Sequence, residues 1–226
     1  MSTTLRVLQF GDSMFPVGSF AFSNGLEMAV QNGVVRDRTT LHEFVRTTVH
    51  QAATGDGVAL LAAHRSAVAG DLDGIRRADE AVFLRKLNEE TRTMTVRMGR
   101  KLAEAAAHIV GESLLEKRFR DATGDSVPVT YPVALGALFA TLGLSEEDAF
   151  AAHQYGAAVM VLSAAVRLMR VDHLDTQAIL FAVNETAAEE YRRVASAGLD
   201  EMATFAPVVD VLAAAHVQAH VRMFMN

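Results

Sequence analysis

Apolar residues recur at intervals of three and four along almost the whole 226-residue chain, the spacing that lays one stripe along one side of an α-helix. Gly33, Gly55, Gly70, Gly111, Gly143 and Gly198 fall at the breaks between these periodic segments, where helix terminators belong. Helix starts are marked as well. Thr40 with Glu43, and Ser145 with Asp148, have capping-box spacing, and Pro132 occupies a first-turn position. The pattern predicts helices over 4–10, 20–32, 39–54, 57–69, 72–86, 88–110, 112–121, 132–142, 145–170, 174–196 and 200–224. The one alternating stretch, "SVPVTYPV" at 126–133, carries two prolines, which a central strand does not tolerate. No linker, low-complexity tract or fixed-period repeat divides the chain. The expectation is an all-α fold, a single-domain helical bundle of about ten helices over residues 1–226.

Composition narrows the classes of partner. With 27 acidic against 21 basic residues and a net charge of −6, the chain lacks the basic footprint of a nucleic-acid binder. The absence of cysteine removes disulfides, thiolate nucleophiles and Cys-based zinc or iron–sulfur sites. The N-terminus has no apolar run behind a basic cluster. The longest apolar run, Gly156 to Val166, is stopped by Arg167, short of the roughly 20 residues a membrane span needs. A cytoplasmic protein with no membrane segment is expected.

The stretch "GDSMFPVGSFAFSNGLE" at 11–27 concentrates glycine, proline and phenylalanine between two helix-like runs. It is not a phosphate loop, because Gly18 is followed by Ser19 and Phe20 where that loop needs lysine. Gly11, Gly18 and Gly25 do not have dinucleotide-fingerprint spacing. Ser13, Ser19 and Ser23 lie in no nucleophile elbow and have no evident base. Among eight histidines, His216 and His220 form an HxxxH pair, but Val217, Gln218 and Ala219 between them supply no general base. Arg167 lies inside an apolar helix and calls for a fixed partner. If 20–32 is one helix, Phe20, Ser23 and Glu27 share a stripe, with Phe22, Leu26, Ala29 and Val30 on another, and Glu27 is the expected partner. The alternative is that Arg167 snorkels to solvent along Met169 and Val171. Phe15, Phe20 and Phe22 are expected in the core.

With these residues in place, "LQFGDSMFPVGSFAFSNGLEMAVQNGVV" resembles the N-terminal signature of the urease accessory protein UreF family. Asp12, Ser13, Phe15, Pro16, Gly18, Phe20, Ser23, Gly25, Leu26 and Glu27 stand at its motif positions. Three further blocks agree: "NEETRTMTVRMGRKL", "YPVALGALFATLGL" with "AAVMVLSAAVRL", and the tail "APVVDVLAAAHVQAHVRMF". Two positions depart from the pattern. "RVDHLDTQ" stands where the family has a Pro-Leu-Gly-Gln-like turn, and His216-Val217 where it commonly has His-Glu.

The resemblance implies a cytosolic, non-enzymatic homodimer that bridges the GTPase UreG and the accessory protein UreD, called UreH in some systems. It implies service to apo-urease during nickel insertion, including regulation of GTP hydrolysis by UreG. Nickel and GTP are handled by the partners, so no cofactor, catalytic residue or metal site of its own is expected. The tail 207–226, with Asp210, His216, Arg222 and Phe224, is assigned to contact with UreD. Val208, Val211, Leu212, Ala215 and Phe224 give that tail an apolar stripe, and it is expected to order on binding and to be dispensable for the core. The rival reading is a helical-bundle metal-binding protein or enzyme that uses His216, His220 and a carboxylate such as Asp210.

Overall fold

The computed structural model describes residues 2–110, 128–216 and 222–225. Among them the fold is all-α. The helices are α1 (Ser2–Gly11), α2 (Leu26–Gln31), α3 (Arg38–Ala52), α4 (Val58–Ala69), α5 (Leu72–Arg85), α6 (Glu89–Val110), α7 (Tyr131–Thr141), α8 (Glu146–Leu168), α9 (His173–Asn184), α10 (Ala187–Val194) and α11 (Pro207–His216). Short 3-10 turns cover Ser19–Ala21 and Leu199–Glu201. The expected helix at 112–121 and Gly111 lie outside the described residues.

Several starts and stops are as the sequence spells them. Gly33, Gly70 and Gly143 take left-handed φ after α2, α4 and α7, and Ser145 caps α8 by accepting the Asp148 N–H at 3.0 Å. Others differ. The cap of α3 is Asp37, with Thr40 as the third residue of its box, in place of the pairing expected from Thr40 and Glu43. Gly55 ends nothing: one π-helical turn, Ala53–Gly57, carries α3 into α4 without a break. The helix expected over 174–196 divides at Glu185–Thr186, where the Thr186 hydroxyl turns back onto the Val183 carbonyl at 2.8 Å. The helix expected over 200–224 begins only at Pro207, a residue suited to a first turn and able to restrict the residue before it.

Two apolar clusters hold the bundle. The first joins α4, α5, α6 and α7, with Leu60, Ile75, Leu102, Leu135 and Phe139 at its centre. Every residue of α7 from Pro132 to Phe139 is buried, so this helix is apolar all round. Its approach to α4 is backbone on backbone, because a Cβ on Gly136 would stand 2.3 Å from the Leu60 carbonyl oxygen. Asp79, fully buried, secures the start of α7 by accepting the Thr130 N–H (2.7 Å) and hydroxyl (2.8 Å). The second cluster joins α2, α3, α8, α9 and α11 through Leu26, Val45, Val161, Ile179 and Leu212. Helix α8 runs between both clusters. It is long and apolar enough to cross a membrane, and here Ala149, Phe150, Val161, Leu162 and Ala165 are buried in the bundle.

Candidate partner-binding surface

The signature stretch is a sequence of tight turns. The Asp12 carboxylate accepts the Met14 N–H at 2.9 Å and its carbonyl accepts the Phe15 N–H at 3.0 Å, an Asx-type turn. It leaves Ser13 and Pro16 exposed and leans Phe15 on Phe10, with ring centroids 5.2 Å apart. Gly18, at φ 82°, opens the 3-10 turn. Phe22 enters the core, whereas Phe20 is 72% exposed, contrary to its expected burial. Asn24 and Gly25 are both left-handed, at φ 53° and 81°, so a right-handed helix cannot run through them. The helix expected over 20–32 therefore starts at Leu26, and the stripe of Phe20, Ser23 and Glu27 does not form. Ser23 is instead buried at the turn, its hydroxyl 3.4 Å from the Glu27 N–H. Gly25 is required twice over, since a Cβ there would also stand 3.3 Å from the Val209 carbonyl oxygen and the Ala213 nitrogen.

That close approach seats α11 on α2 and brings Glu27 to the tail. One Glu27 oxygen accepts the Met223 N–H (2.8 Å); the other accepts the Phe224 N–H (3.0 Å) and lies 3.0 Å from His216 Nε2. The other face of the fully buried His216 ring meets Glu90 of α6, with Nδ1 3.0 Å from Oε2. Arg222 bonds the second Glu90 oxygen and stands 3.3 Å from His216 Nδ1. Burial pushes the Glu27 carboxyl up, but the tail amides and His216 outweigh it and hold it below the usual value. The tail supplies His216 and Arg222 to this cluster, and the bundle supplies Glu27 and Glu90.

Arg167 does not meet Glu27. It is exposed, donates to the Phe20 carbonyl at 3.1 Å, and places its guanidinium 4.1 Å from the Phe224 ring centroid. The expectation of a buried ion pair failed because it rested on a helix through 20–25. Met225 adds a main-chain bond to the Ala21 carbonyl at 2.9 Å, so residues 222–225 run alongside the signature turn.

The described parts of the tail, 207–216 and 222–225, pack on the bundle. Val209, Leu212, Ala213, His216 and Phe224 are buried. Of the expected stripe, Leu212 and Phe224 are buried in the bundle, while Val208, Val211 and Ala215 form the solvent face of α11. Asp210 accepts from Gln51 Nε2 at 3.1 Å and 3.3 Å. Met14, Phe20, Phe205, Val208, Val211 and Met223 leave an apolar exposure around the junction, the composition of an interface. Sequence reading missed Glu90 and Gln51; no local signal marks either, since each acts on a residue more than 100 positions away. Among the described residues no three His, Asp or Glu side chains gather as a metal site. His216 has both nitrogens engaged, and His220 lies outside the described residues.

Fold and site define an all-α protein whose C-terminal tail is strapped across an N-terminal turn by a buried charge cluster. A family model described as UreF matches residues 35–184. Urease accessory protein UreF 2 of Brucella canis, and that of Brucella abortus, are 54% identical over 222 residues, 98% of this chain and 91% of each relative. Urease accessory protein UreF of Yersinia enterocolitica is 50% identical over 226 residues, covering 100% of this chain and 99% of the relative. The chain belongs to the UreF family of urease accessory proteins.

Proposed function

We propose that this chain is a non-catalytic scaffold of urease maturation, working in the cytoplasm as a homodimer. It bridges the GTPase UreG and UreD (UreH), regulates GTP hydrolysis by UreG and serves nickel insertion into apo-urease without a cofactor or metal site of its own. The observation that carries this reading is the near full-length similarity to proteins named urease accessory protein UreF. Support from the molecule is the apolar exposure gathered around the junction of turn and tail, where Phe20 and Met223 are 72% and 60% exposed. Size-exclusion chromatography with UreG, UreD and apo-urease tests it. A common peak containing this chain is expected, together with a loss of nickel loading of urease when the chain is omitted. Separate elution from both UreG and UreD would defeat the proposal.

A further inference from the structure

A cavity of about 450 Å³ lies between the signature loop, the π turn, α6, α7 and α8, within the range of small-molecule sites. Phe15, Val17, Met94, Met98 and Met160 make much of its wall apolar. Polar groups interrupt that wall. His153 on α8 is 4% exposed, and its Nδ1 has no hydrogen-bond partner among the described residues. The Thr48 hydroxyl on α3, in a residue 2% exposed, is likewise unpartnered. Tyr131 at the head of α7 presents its ring 6.4 Å from that of His153. Buried polar side chains with no partner are rare in folded proteins. The cavity is also bordered by the π turn, a feature that recurs at functional sites.

The charged groups around the cavity are already engaged. Lys86 Nζ lies 2.8 Å from both oxygens of Asp56 on the π turn. Arg85 donates to the Ala81 and Leu199 carbonyls, while Asp12 and Asp210 accept from the Met14 amide and from Gln51. Burial pushes His153 down to about 4 and the Tyr131 phenol up to about 12, so both are uncharged near neutral pH. His153, Thr48 and Tyr131 offer an ionised ligand no charge in exchange for its lost hydration. An uncharged donor and acceptor would complete the bonds that His153 and Thr48 lack.

We propose that this cavity binds an uncharged small molecule with an apolar body and a hydrogen-bonding head of the amide type, held by His153, Thr48 and Tyr131. Such a ligand would touch the signature loop, the π turn and three helices together and so favour the closed bundle by mass action.

Isothermal titration of the purified full chain with benzamide, benzoate, benzylammonium and toluene tests this, because the four probes share a ring and differ in the head. Benzamide is expected to saturate one site per chain, at least about tenfold tighter than the other three. His153→Phe and Tyr131→Phe should each weaken benzamide about tenfold and leave toluene unchanged, with circular dichroism confirming that both variants fold. Tightest binding of benzoate or benzylammonium would overturn the proposal. So would equal binding of all four, failure of benzamide to saturate at millimolar concentration, or benzamide affinity unmoved in both variants.

Discussion

The seam between α4 and α7 and the junction between α2 and the tail are both buried, yet they are made from opposite materials. At the seam, Leu60, Leu135, Leu138 and Phe139 pack at 0–1% exposure around a glycine that admits a carbonyl oxygen. At the junction, the buried Glu27 and His216 meet the half-buried Glu90 and the exposed Arg222, and main-chain amides of the tail end on a carboxylate. Apolar close packing is steric and does not itself titrate. A buried charge cluster holds only while every member is present and correctly protonated. The bundle is thus fixed along one seam and adjustable along the other.

The largest expected effect removes the junction. Deleting residues 207–226 uncovers the partners of Val209, Leu212 and Phe224, at about 1.5–3 kcal/mol for each large buried side chain. Urea denaturation should show at least about 5 kcal/mol lost, or no cooperative transition at all. This reverses the expectation of a dispensable tail, and an unchanged midpoint would mean that the tail merely rests on the bundle. Next comes the seam. Gly136→Ala would gain about 1 kcal/mol of helix propensity in open space. Against the Leu60 carbonyl at 2.3 Å it should instead cost about 3 kcal/mol, with protease resistance of the tail preserved.

Acid distinguishes two further groups. His153, held near 4 against an ordinary 6.5, binds its proton more readily in the unfolded chain. Stability should therefore rise with pH across that window and fall by on the order of 3 kcal/mol between pH 6.5 and 4 on acidification. Glu27, lowered from 4.5, contributes stability that is present above 4.5 and lost as pH falls through its folded value. Denaturation midpoints across pH 3 to 7 should show the upper loss abolished in His153→Phe and the lower loss reduced in Glu27→Gln. The smallest effect is that of Arg167→Ala, about 1 kcal/mol, since an exposed guanidinium over a ring and one carbonyl bond are all it loses. A loss above about 3 kcal/mol would restore the buried-pair reading.

The helices themselves were legible because their signals are local: Ser145 before α8, Pro132 in the first turn of α7, Gly70 and Gly143 after α4 and α7. The signature turn was legible as a turn but not as two left-handed residues ahead of α2, because Asn24 is compatible with either conformation until α11 is seated on Gly25. That single error misplaced Glu27 and supplied Arg167 with the wrong partner. Val208 and Val209 are equally apolar, and only the position of α2 decides which is buried. The resemblance singled out Glu27 and His216, but Glu90 and the meeting of the three had no sequence signal, since ionisable residues of ordinary type acquire their partners from packing alone.

The contact between Glu27 and His216 spans 189 positions of chain, and this has a consequence for synthesis. While the ribosome is elongating, the signature helix waits with its carboxylate and its glycine groove uncovered, because the segment that covers them emerges 189 positions later. Domains fold during translation as their partners become available, so α4 to α7 can assemble on the ribosome but the amino-terminal turn cannot. A polypeptide truncated before residue 207 presents an open α2.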